Sequence, residues 1–457
     1  MDRQMSKRKR VILLIVAGVL VLAVFMILLF EFVLFPGRRS VALPPLPGLA
    51  SSAAECDPEL LAPGIRKIMK NRLSTSVIVY GEQVDGLLAS SYETSERRGF
   101  PGTKTTSILA GDQIRYGRVL VKMNERSAFF DWADDFDRAF RPKGSGFHAT
   151  ALRSTEQNAS SSNEAEITES NVDRGRDDLP VEYEPVNVHW SVTLSYARAL
   201  LEGYQKFGGR RLENRIRAEA DRLLPLFRDG KTDDELLAGP RMLLALDEWD
   251  NPLPGSTPEP GQDAPVEHSP GTYLADVDLW ALSAFARFDP AWASIANEWR
   301  EIVENAVLES RLPLYASAYR SDTSSYLAVT GGGVMSSLRE QLEIAVHLAE
   351  VGVVHRDLLS FIRSALRDDK RLPSGWNPVT GSPSGQSASS CDYALALILG
   401  RVAGDTLLIE SARDVMMRQY AGSQTSDIFG GWYRSGSTSY TYRLVAEDNT
   451  AVLLALR

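Results

Sequence analysis

The stretch Tyr273-Leu274-Ala275-Asp276-Val277-Asp278-Leu279-Trp280-Ala281-Leu282-Ser283-Ala284-Phe285-Ala286-Arg287-Phe288 decides how this chain folds. Two aspartates stand where a helix opens, and the helix behind them is apolar on nearly every side. Such a helix belongs in a protein interior. After Asp289-Pro290 the pattern changes, and Trp299 to Glu309 keeps a charged face. A short turn between two helices makes them antiparallel neighbours. The unit is a hairpin of one inner and one outer helix.

The same unit recurs on both sides of this stretch. Periodicity predicts helices over 59–72, 83–95, 127–140, 188–206, 210–228, 276–288, 290–308, 335–350, 355–368, 391–402, 405–420 and 446–456. Short turns at Phe207-Gly208-Gly209, Asp289-Pro290, Gly352 to Val354 and Ala403-Gly404 join them in pairs. Leu338 to Val351 and Tyr393 to Val402 have inner character, whereas Arg210 to Arg228 has an outer, charged face. An open solenoid would show a fixed repeat length, and this chain has none. The expected fold is therefore all-α, an (α/α)6 toroid with few and short strands.

Working outward to the N-terminus, Val11 to Phe30 is a run of 20 residues without a charge. As a helix it spans about 30 Å, the thickness of a bilayer core. A secretory signal would have an apolar region of only about 7–15 residues. Arg3, Lys7, Arg8, Lys9 and Arg10 precede the run, which places the N-terminus in the cytoplasm and the rest outside. The expected organisation is a basic tail 1–10, a transmembrane signal anchor 11–35 and a proline-rich linker 36–57. An extracytoplasmic (α/α)6 domain 58–457 follows, with polar insertions near 155–184 and 250–271. The linker, with Leu43-Pro44-Pro45-Leu46-Pro47-Gly48, is expected to hold the domain off the membrane.

The formal charge is −9 overall and +3 up to Phe35, which leaves −12 outside. That balance argues against nucleic acid as a partner. Cys56 and Cys391 are able to pair in an oxidising compartment or to stay free. Neither has metal-ligand spacing, and no motif implies a metal or another cofactor.

Acidic residues gather where the inner helices begin: Glu82 with Asp85, Asp276 with Asp278, Asp392, and Glu447 with Asp448. Taken singly, each is also a favoured helix cap. Together, in a toroid, they would line one cleft. Two carboxyl groups across a cleft are what glycoside hydrolysis requires, one protonated and one ionised. Trp376, Trp432 and Tyr433 sit in glycine-rich, loop-like contexts, as rings that stack on sugars do; the other reading folds them onto the core.

Asp276-Val277-Asp278-Leu279-Trp280 resembles the Asp-x-Asp-Leu-Trp helix start of glycoside hydrolase family 8, whose fold is an (α/α)6 toroid. Cys391-Asp392-Tyr393-Ala394 is similar to that family's Tyr-Asp-Ala segment, which carries the base. The family's acid lies in Ser-Glu-Gly-Gln-Gly-Tyr-Gly. The segment set against it here is Tyr80-Gly81-Glu82-Gln83-Val84-Asp85-Gly86, in which matching Gln83 and Gly86 puts Gly81 at the acid position. The resemblance implies Asp392 as base, Asp276 or Asp278 as sugar-binding acids, and Glu82 as general acid with Asp85 as the other choice. It implies a β-linked polysaccharide as substrate. The alternative is an inactive toroid that binds polysaccharide or a synthase or export partner. The bilayer would be met through residues 11–35.

Overall fold

The computed structural model describes residues 40–47, 65–95, 102–155, 181–229, 244–245, 270–320, 323–329 and 334–456, with residues 16, 18 and 20 singly. The anchor expected over 11–35, the insertions near 155–184 and 250–271, and Cys56 lie wholly or largely outside these residues. Among the described residues no helix is long and apolar enough to cross a membrane.

The described residues contain eleven α-helices. They are α1 (Ala110–Lys122), α2 (Arg126–Phe140), α3 (Trp190–Phe207), α4 (Arg210–Asp229), α5 (Leu279–Phe285) and α6 (Ala291–Glu304). The series continues with α7 (Leu338–Glu350), α8 (Arg356–Asp369), α9 (Ser390–Ala403), α10 (Thr406–Met416) and α11 (Ala446–Leu456). The odd-numbered helices pack side by side in chain order, and α11 returns to α1, which closes a ring. The even-numbered helices lie outside it, each against its own inner partner or an outer neighbour. The toroid of inner and outer helices is therefore present.

Side chains set the helix starts. Asp278 Oδ1 accepts the Ala281 amide at 2.8 Å and opens α5. Ser389 and Asp392 form a reciprocal capping box at α9, and Gly404 ends that helix at φ 72°. Packing demands glycine at one point. A Cβ on Gly117 of α1 would lie 2.4 Å from the Trp132 ring of α2. Trp132 in turn meets Phe136 and Tyr196, building an aromatic core between α2 and α3.

The two ends of the barrel differ. Inner helices pass to outer ones through short connections, such as Gly208-Gly209, Gly352 to His355 and Gly404-Asp405. These mark the base. Outer helices return to inner ones through long connections that carry strands: Ala149–Ser154 and Glu182–Val188, Ala318–Arg320 and Ser325–Leu327, Gly375–Trp376, and Tyr433–Ser435 with Thr441–Val445. These mark the mouth, where all inner helices begin.

Two expectations are corrected here. The helix expected over 83–95 is a pair of strands, Glu82–Leu88 and Ser91–Ser95. Val84, Leu87 and Leu88 suit either a helix or a strand; Tyr80-Gly81, both at positive φ, forms the two-residue hairpin that decides it. Strands are short, as expected, but not few. They form one five-stranded sheet, ordered Glu82–Leu88, Ser74–Val79, Glu182–Val188, Ala149–Ser154 and Ile108–Leu109, and three smaller sheets. Helix α1 was not expected. Its first half, Ala110-Gly111-Asp112-Gln113, is small or polar and holds a glycine, so its period is faint.

Candidate active site

A cavity of about 310 Å³ runs down the ring axis from the mouth. Gly111, Arg115 and Arg118 face it from α1, and Ser191, Ser195 and Arg198 from α3. Each set covers two helical turns, so the shaft is roughly 10 Å deep. Opposite stand Glu343, His347 and Glu350 of α7, with Asp276 and Asp278 before α5.

At the upper level, burial pushes the Glu343 carboxyl up to about 7; Arg115 and Arg339 pull against this, and Asp276 adds to it. Burial raises Asp276 to about 6, opposed by a hydrogen bond with Ser191 and by His347. Two facing carboxyls thus titrate near neutrality. Asp112 is also raised, to about 6, chiefly by burial. Its Oδ1 meets Arg115 at 3.3 Å, and its buried Oδ2 has no hydrogen-bond partner. It stands beside the shaft rather than in its wall.

Arginines pair with the other acids. Arg115 reaches Glu447 at 3.1 Å, and Arg339 bonds both Glu447 and Asp392, the latter at 2.9 Å. At the lower level Arg198 binds Asp278 at 3.0 Å, Glu350 at 2.6 Å and Glu202 at 2.8 Å, with its guanidinium 4.4 Å from the Trp280 ring centre. Burial works against the charge on Asp278, but Arg198 outweighs it and lowers the carboxyl. Glu202 falls to about 2, against burial, through Arg118 and Arg198. Asp278, His347 and Glu350 bring ligand atoms to within 4.8 Å of one another, the spacing of a metal site. Arg198 already supplies the cation between the two carboxylates, so this donor set does not favour a metal.

The acids proposed from sequence fall into three groups. Asp276 and Asp278 enter the cavity wall. Asp392 begins α9, but one oxygen takes the Ser389 amide at 2.7 Å and the other takes Arg339; its neighbour Cys391, a buried free thiol, faces the shaft instead. Glu82 and Asp85 lie on a strand rather than at an inner-helix start. Glu82 reaches only Arg138 of outer helix α2, at 3.8 Å, and Asp85 bonds Gln83 at 2.8 Å. No residue of that strand lines the cavity. The tryptophans are not exposed: Trp432 is fully buried and donates Nε1 to Met416 at 3.1 Å, and Trp376 is buried against Phe361. Tyr433 is half-buried, edge-on to Tyr442.

Glu343, Arg198 and Arg115 were missed. The signal for Glu343 was a polar stripe, Glu343, His347 and Glu350, along a helix expected to be inner. Asp112 had a signal too. It precedes Tyr116 and Gly117 by the same four and five residues that separate Glu from Tyr and Gly in Ser-Glu-Gly-Gln-Gly-Tyr-Gly.

No family model matches the chain, and no curated protein matches it. Solved structures do. An alpha-amylase from Clostridium perfringens superposes with a TM-score of 0.59 at 17% identity, covering 86% of this chain and 96% of that one. A cold-adapted family 8 xylanase, in complex with substrate, superposes with a TM-score of 0.54 at 11% identity, covering 90% and 93%. The chain has a glycoside hydrolase family 8-like six-hairpin fold. At these identities the likeness extends to the fold, and the chemistry has to be argued from the side chains.

Proposed function

We propose that this chain is a membrane-anchored, extracytoplasmic glycoside hydrolase that cleaves a β-linked polysaccharide with a pair of carboxyl groups. The observation that carries this reading is the pairing of Glu343 and Asp276 at the upper level of the shaft. Near pH 6.5 Glu343, at about 7, keeps its proton, and Asp276, at about 6, has lost its own. An ionised Asp276 also makes Glu343 harder to ionise, so each state supports the other. Glu343 gives its proton to the glycosidic oxygen as the C–O bond breaks. Asp276 takes a proton from the water that adds to the sugar carbon. In this scheme Asp278 and Asp392, paired with Arg198 and Arg339, fix the walls around the pair.

A second reading has its own support. None of the described residues lining the cavity is a phenylalanine, tyrosine or tryptophan, and both Asp392 oxygens are engaged. A non-hydrolytic toroid that binds polysaccharide or a synthase or export partner fits those two facts.

Reducing-end release by the full-length chain in detergent, from β-glucans, xylan and an α-glucan, separates the readings. Release from a β-linked polymer is expected. Release from none favours the binding reading, and release from the α-glucan alone sinks the linkage. Alkaline carbonate extraction of membranes should leave the chain in the pellet; its appearance in the supernatant would remove the anchor.

A further inference from the structure

The segment expected to act as a spacer does not stand away from the domain. The Ser40 and Val41 amides both donate to the Tyr204 hydroxyl, at 2.9 and 3.1 Å, and the Ser40 hydroxyl bonds Glu213. Val41, Leu43 and Leu46 pack against the core. Tyr204 is in the last turn of inner helix α3 and Glu213 in the first turn of outer helix α4, so the contact is at the base. Pro44, Pro45 and Pro47 have no amide hydrogen to satisfy, which suits a segment laid across a barrel end.

Under Leu46 and Pro47 lies a second, smaller cavity of about 50 Å³, bounded by Lys122, Glu202 and Arg401. It shares Arg118, Arg198 and Glu350 with the large shaft. The Arg198 ion cluster is therefore the partition between them, and residues 40–47 form the floor beneath it. Charges in such a cluster attract one another more strongly when water is kept out.

We propose that residues 40–47 are a strap that seals the barrel base and turns that base towards the bilayer, so the carboxyl-lined mouth opens away from the membrane. The orientation rests on the anchor reading of residues 11–35. The tether from Phe35 to Ser40 reaches at most roughly 18 Å. Helix α3, with 18 residues, is about 27 Å long. A tether fixed to the base is too short to let the mouth face the bilayer. The mouth can then receive a polymer from the external space.

The test uses the full chain in liposomes whose headgroups carry a nitroxide quencher. A fluorophore is placed on Leu407→Cys at the base or on Val379→Cys at the mouth, both exposed, in a Cys56→Ser background with Cys391 buried. Leu407 should be quenched at least about twofold more than Val379, given the length of the barrel. Flotation is checked first. A chain that fails to float defeats the anchor and the orientation with it. A chain that floats with Val379 quenched as strongly as Leu407 overturns the orientation alone. The strap is tested separately by Tyr204→Phe, which keeps the ring against Phe288 and removes the acceptor. Hydrogen exchange at the Ser40 and Val41 amides should rise at least about tenfold. Unchanged exchange would overturn the seal.

Discussion

Replacing Arg198 by Met should cost about 3–5 kcal/mol of stability at pH 7, the range for breaking a buried ion pair from one side. Arg198 sits between Asp278, Glu350 and Glu202 at 2.6–3.0 Å, and all four side chains are at most 8% exposed. Methionine keeps an apolar stem on Trp280 and removes the charge together with its hydrogen bonds to the three carboxylates. Arg118 still holds Glu202 at 2.8 Å, so the loss falls on Asp278 and Glu350. The two losses share one cavity and will not simply add.

In the parent chain Arg198 lowers Asp278, and Glu202 is held at about 2. A depressed carboxyl stabilises the fold above its unfolded value, near 4, and that stability is lost as pH falls towards 2. Between pH 7 and pH 5 the parent cluster contributes an almost constant amount. Without Arg198, burial raises Asp278 above its unfolded value. The folded variant then binds more protons than the unfolded one, and its stability rises as pH falls. Urea unfolding followed by tryptophan fluorescence, at pH 7 and pH 5, reads both effects. The deficit should be large at pH 7 and clearly smaller at pH 5. Equal midpoints for the two proteins at pH 7, or a deficit that does not change with pH, would refute the reasoning.

Two further results are expected. The kcat/KM profile should be a bell with limbs near 6 and 7, set by Asp276 and Glu343; in Asp276→Asn, which lacks the base, the Glu343 carboxyl followed by carbon-13 NMR should titrate at lower pH because a neighbouring negative charge is gone, and an unmoved titration would detach the pair. Gly117→Ala places a Cβ 2.4 Å from Trp132, and overpacking of this kind should lower stability by about 1–3 kcal/mol in the same urea assay, where no loss would contradict the close packing of α1 on α2.

Much of the ring was legible because burial writes itself into helix periodicity. The helix expected over 446–456 matches α11, and that over 391–402 differs from α9 by one residue at each end. The glycine-bearing turns at Gly208-Gly209 and Gly404 are base connections, fixed by local backbone needs. Helix α1 and the strands before it were misread for a related reason. Gly117 is present because the Trp132 ring crowds it, and crowding leaves no local sequence trace. Six hairpins were expected, but the strands of 83–95 were counted in place of α1, and Glu82, sought at a helix start, lies on a strand. Asp276 was found through its motif. Glu343 was not, because its proposed role depends on sharing the cavity with Asp276, which only the closed fold brings about.

Proton donation by Glu343 is measured most directly as kcat for Glu343→Gln on the polymer that the parent chain cleaves best. Gln keeps the shape and cannot donate the proton. A fall of about 10²–10⁴-fold is expected. Glu82→Gln, changed on the exposed strand where the side chain is 68% accessible, should retain full activity under the same conditions. Near-parental turnover by Glu343→Gln, or a comparable loss in Glu82→Gln, would contradict Glu343 as the donor.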